Sequence, residues 1–143
     1  MMRSVIAKRL TKNLFLTLLI SSVLSFLGVN AFYADGAGHL ERDQYIFIIE
    51  IMNICWTFIL TLCSLTVYLN LNANIRSNRV YCMLTFFLLP VLLILVMFSL
   101  NGFDDMWEPF AITSGTFVVT HLFFYIRFLK GSYVIQQLIK SKI

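Results

Sequence analysis

Residues 46–71 read IFIIEIMNICWTFILTLCSLTVYLNL, an apolar run in which Glu50 is the single charged side chain. As a helix rising ~1.5 Å per residue, such a run exceeds the ~30 Å thickness of a bilayer's hydrocarbon. A soluble helix of that length needs a polar face, and this run has only a narrow polar stripe. The stretch therefore reads as a membrane span, and the question it raises is what Glu50 does there.

The rest of the chain agrees. Of its 143 residues, 59% are hydrophobic and 13% charged, with a mean hydropathy of +0.84. A soluble domain carries roughly 25% charged residues. Four segments reach spanning length, at about 13–33, 45–69, 80–100 and 109–129, separated by DGAGHLERDQ, NLNANIRSN and NGFDDMWE. Little chain remains outside them, so residues 1–143 read as one membrane domain.

Charge sets the expected orientation. Arg3, Lys8, Arg9 and Lys12 precede the first span, Arg76 and Arg79 lie in the second connection, and Arg127, Lys130, Lys140 and Lys142 close the chain. Only Arg42 of the eleven basic residues falls in the other two connections, which hold every acid except Glu50. The positive-inside rule makes both termini cytoplasmic. The net charge of +4 then describes a membrane face beside anionic headgroups, not a nucleic-acid surface. The basic start and Val29-Asn30-Ala31 resemble a cleavable leader, but the apolar run reaches spanning length through Tyr33, and the first span is expected to be retained.

Polar residues inside spans mark helix contacts or function, because hydrocarbon satisfies no hydrogen bonds. Glu50, Asn53, Thr57, Thr61 and Ser64 recur at steps of three and four, forming one stripe that serves either as a packing seam or as a solute path. Ser21, Ser25 and Gly28 make a small-residue stripe on the first span, expected to face the second. Ser114, Val118, His121 and Tyr125 share one side of the fourth span, with Thr113, Thr116 and Thr120 beside them. Pro90 should free a carbonyl one turn earlier in the third. His121 is the second ionisable group in a span, about 10 Å from Glu50 in depth by counting residues, and a neutral ring bonded to a hydroxyl or a carbonyl is expected.

Other chemistries lack their residues. HExxH, GxSxG and phosphate-loop patterns are missing, so no enzyme, cofactor or metal is expected. Cys55, Cys63 and Cys82 lie within spans, where they read as small packing residues. Asp104, Asp105, Trp107 and Glu108 form an acidic, aromatic outer surface suited to an interfacial anchor or a basic partner.

Small multidrug transporters carry an essential glutamate in the first span, and this first span has no acid. Eicosanoid and glutathione membrane enzymes need intramembrane arginine, claudin-type proteins a loop cysteine pair, and quinone-coupled thiol enzymes a CxxC. The cores of these spans hold no arginine, and the chain has neither cysteine pattern. In size and topology it resembles the four-span immunity proteins that protect bacteria from pore-forming colicins, a likeness without a shared motif. The expectation is an all-α, polytopic membrane protein, a four-transmembrane-helix bundle in a bacterial inner membrane. It would act without catalysis by recognising another membrane protein, most concretely a membrane-targeting toxin. A small transporter or channel, oligomeric and using Glu50 and His121, is the alternative.

Overall fold

The computed structural model describes the backbone of residues 2–32, 39–101 and 107–140, and the side chains of 3–32, 46–100 and 107–131. No strand occurs among the described residues. Helix α1 spans Met2–Phe32, α2 His39–Cys63, the short α3 Ala73–Ser77, α4 Arg79–Asn101 and α5 Trp107–Lys140. A 3-10 segment, Ser64–Leu71, prolongs α2. Among the described residues, four stretches are long and apolar enough to cross a membrane: Arg3–Phe32, Ile46–Leu71, Arg79–Leu100 and Trp107–Gly131.

The helices at the two ends of the chain outrun their apolar segments. With 31 residues in α1 and 34 in α5, they extend about 46 and 51 Å, well beyond ~30 Å of hydrocarbon. The basic stretch before residue 13 is thus part of a continuous helix rather than a separate surface segment.

Packing follows the spacing of the buried residues. Along α1 these are Ile6, Leu10, Leu14, Thr17, Ser21, Ser25 and Val29, a strip at steps of three and four that lies on one side of a helix. The strip faces α5 more than α2, contrary to the expectation from connectivity. Ser25 Oγ and Thr113 Oγ1 are hydrogen-bonded at 2.6 Å, and a Cβ on Gly28 would stand 2.9 Å from Ile112 Cγ2. A short loop makes two helices neighbours, but the closest approach goes to the pair whose facing residues are smallest. The same antiparallel register brings Arg9 beside Gly131. Between α1 and α2, Asn30 meets Glu50 at one end and Thr11 meets Tyr68 at the other.

Two apolar clusters fill the interior. Ile6, Leu10, Leu14, Val67, Cys82, Phe86, Tyr125 and Phe128 form the one at the basic end. Trp56, Leu60 and Phe117 form the other, with Phe110, Leu93, Ile94 and Met97 against it. Of the cysteines only Cys82 is buried, whereas Cys55 is exposed, so the expected packing role does not extend to Cys55.

The 3-10 segment rests on side-chain bonds within its own turns and on bonds to α4. Ser64 donates to the Leu60 carbonyl and Asn70 to that of Val67, and such side-chain bonds compete with the regular helical ladder. Cross-links to α4 hold it: Thr66 Oγ1 donates to the Thr85 carbonyl at 2.7 Å, and Asn70 Nδ2 to Thr85 Oγ1 at 2.6 Å. The tight connection that follows is capped twice. Asn72 Oδ1 accepts from the Asn74 N–H to open α3, and Asn78 Oδ1 from the Val80 N–H to open α4.

Candidate functional site

The expected stripe on α2 divides into two parts. Thr57, Thr61 and Ser64 donate to the carbonyls of Asn53, Thr57 and Leu60 in their own helix, at 2.8, 2.8 and 2.9 Å. Their hydroxyls are satisfied locally, which lets α2 pack closely without a partner across the seam.

The other end of the stripe is different. Glu50, half-buried, accepts from Asn30 Nδ2 through Oε1 at 2.6 Å. The same Asn30 amide donates to the Phe26 carbonyl at 2.9 Å, which fixes its rotamer and aims its second hydrogen at the acid. One turn below Glu50, Asn53 is 5% exposed and its Nδ2 has no hydrogen-bond partner. An amide donor left so in an apolar setting costs on the order of 1–3 kcal/mol.

Both residues line a cleft of about 330 Å³ between α1 and α2, together with Ser22, Val23, Ser25, Phe26 and Ile54. Val23, Phe26 and Ile54 are 58%, 50% and 58% exposed, so the cleft opens sideways on the outer surface of the bundle rather than along its axis. An acid, a buried donor without a partner and two serines thus stand behind an apolar rim, at a depth where the surroundings of an apolar helix are hydrocarbon. Such a cleft can accept a donor or cation at the Glu50 carboxylate, and an acceptor at Asn53 once its buried amide turns toward the cleft.

His121 belongs to another part of the molecule. Its Nε2 lies 3.1 Å from the Phe86 carbonyl, which is four residues before Pro90 and has therefore lost its helical N–H partner. The ring nitrogen donates in place of that N–H. The imidazole stacks on Phe117 at 5.4 Å and 15°, with Phe86 and Phe87 at 5.4 and 5.5 Å. The register widens the separation of the two ionisable groups. Trp56 Nε1 donates to Ser114 Oγ at 3.0 Å in the parallel pair α2 and α5. Glu50 lies before that level and His121 after it, placing them roughly 20 Å apart along the axis.

The residues of the third connection are only partly placed. Trp107, exposed, and Glu108 open α5, while Asp104 and Asp105 lie outside the described residues, as does the side chain of Arg42. Among the described residues, no three His, Cys, Asp or Glu side chains come together as a metal site.

Asn30, the hydrogen-bond partner of Glu50, is a residue that reading the sequence missed. Its signal was available: the joined ends of two consecutive spans must lie level, which sets Asn30 opposite Glu50. Comparison of the chain with protein-family models, curated proteins and solved structures finds no match in any of the three.

Proposed function

We propose that the protein recognises a transmembrane segment of another protein, docked from the side into the cleft between α1 and α2. The observation that carries this reading is the Asn53 amide, buried without a partner in a lateral cleft headed by Glu50. A donor with nothing to bond in hydrocarbon is a standing cost, and an incoming polar side chain or carbonyl removes it. By the positive-inside rule the basic ends of α1 and α5 are on the cytoplasmic face of a bacterial inner membrane, with Glu50 near the outer face. The most concrete role is non-catalytic immunity: the bundle holds the hydrophobic hairpin of a membrane-targeting toxin and keeps it from assembling a pore.

Separate partners for Glu50 and His121, and the depth between them, favour this reading over a proton or cation path shared by the two. The cleft also explains why the acid stands where it does, within reach of a basic or hydroxyl side chain entering from the outer leaflet.

The test uses two opposite changes. Asn53→Leu removes the donor, and Ile54→Trp fills the cleft from its rim. Each is expected to lower protection against the cognate toxin, and recovery of that toxin with the purified protein, about tenfold or more. Tenfold is about 1.4 kcal/mol, near the upper end of the ~0.6–2 kcal/mol that an intramembrane hydrogen bond contributes. Thr61→Val, whose hydroxyl is satisfied within its own helix, is expected to change neither. Full protection by both cleft variants, inserted at normal levels, would set the cleft aside. A deletion strain unchanged in sensitivity to every toxin encoded beside the gene would remove the immunity role.

A further inference from the structure

At the opposite end of the bundle a second cleft, of about 390 Å³, lies between α1 and α5. Arg9, Lys12 and Arg127 line it with Asn13, and Leu16 and Phe128 extend it toward the apolar part of the helices. All three cations are exposed. The chain has no Asp or Glu before residue 35 or after residue 108, so α1 and α5 beyond its first turn offer them no counter-ion. Three like charges gathered by folding on one concavity repel one another unless an anion joins them.

Two features make this more than a basic helix end. The cleft straddles the point where the apolar runs end, with Lys12 just before the one in α1 and Arg127 in the last turn of the one in α5, so it lies at headgroup depth. Gly131 also shapes it: a Cβ there would stand 2.9 Å from an Arg9 terminal nitrogen, so the guanidinium rests against bare α5 backbone. Arginine presents a planar fork of donors that suits phosphate oxygens, with Lys12 as a point charge beside it.

We infer that this cleft binds the phosphodiester of one anionic phospholipid, with Arg9, Lys12 and Arg127 on the phosphate and an acyl chain along Leu16 and Phe128. This site stands apart from the α1–α2 cleft and does not depend on its role. A lipid is the favoured source of the phosphate because the apolar walls continue the cleft toward the hydrocarbon, where a free anion has nothing to contact.

The full-length protein, in nanodiscs of equal parts phosphatidylcholine and phosphatidylglycerol, is released into mild detergent and weighed intact by mass spectrometry. The wild type is expected to retain phosphatidylglycerol over phosphatidylcholine. The paired variant Arg9→Gln, Arg127→Gln is expected to lose that preference by more than tenfold, at about fivefold for each cation removed. Gly131→Leu, which leaves every charge in place but displaces Arg9 and fills the cleft, is expected to lose it as well. Lys8→Gln with Lys130→Gln removes the same charge outside the cleft and is expected to keep it. Equal losses in the two charge pairs, or no preference in the wild type, would overturn the site. Displacement of the lipid by inorganic phosphate at matched concentration would overturn the lipid as its source.

Discussion

Replacing His121 by phenylalanine is expected to destabilise the protein by about 1–3 kcal/mol, although the ring fits a pocket already walled by Phe86, Phe87 and Phe117. The aromatic volume is kept and the donor is lost. The Phe86 carbonyl, which Pro90 denies a helical partner, is then left without a bond in the interior. Some of the cost returns, because the imidazole's Nδ1 is itself buried without a partner and goes with the substitution. The sharper quantity is therefore the coupling to Pro90. With Pro90→Ala, residue 90 regains an N–H for the Phe86 carbonyl, and His121→Phe should cost about 1–2 kcal/mol less than it does beside proline. Reversible unfolding of the four proteins in mixed micelles measures this. Equal costs in both backgrounds would show that the histidine is not there for the carbonyl.

The seam between α1 and α5 should be as sensitive to added volume. A Cβ at Gly28 already approaches Ile112 Cγ2 to 2.9 Å, and valine adds two methyl groups beyond it. Ile112 is β-branched, so its χ1 is nearly fixed in a helix and the methyl cannot swing away. The helices must part, stretching the 2.6 Å bond between Ser25 and Thr113 one turn away. Gly28→Val is expected to cost about 1–3 kcal/mol, and Ile112→Ala in the same chain to return at least half of it. Gly115, with no neighbouring atom within 4 Å of its would-be Cβ, should accept alanine without loss of stability. A Gly28→Val protein as stable as the wild type would mean that α1 and α5 do not meet at this register.

What could be read from the chain follows from the scale of each signal. The four apolar helices were legible because a span must exceed bilayer thickness, and no shorter pattern imitates that length. Their ends were less so: α1 begins at Met2, since the helix continues through Lys8, Arg9 and Lys12 after the apolar run stops. The 3-10 form of Ser64–Leu71 could not be counted out in advance, because it depends on Thr85 of another helix meeting Thr66 and Asn70.

The candidate residues divide in the same way. Pro90 announces a carbonyl in need of a donor, and His121 announces a ring in need of an acceptor. Joining the two takes the packing of α4 on α5. Thr57, Thr61 and Ser64 look like Glu50 and Asn53 in a periodic stripe, yet hydroxyls can satisfy themselves on the preceding turn. A carboxylate cannot donate, and the Asn53 amide has found no acceptor there. That chemical difference, rather than spacing, separates the self-satisfied part of the stripe from the cleft.

The cleft's role is tested most directly by a photoreactive amino acid at Ile54, on its rim, compared with one at Leu95, which is 62% exposed on α4. In cells carrying the cognate toxin, irradiation should yield a toxin adduct from position 54 that is absent from position 95, and Asn53→Leu should abolish it. Adducts of equal yield at both positions, or an adduct at 54 indifferent to Asn53→Leu, would contradict recognition through this cleft.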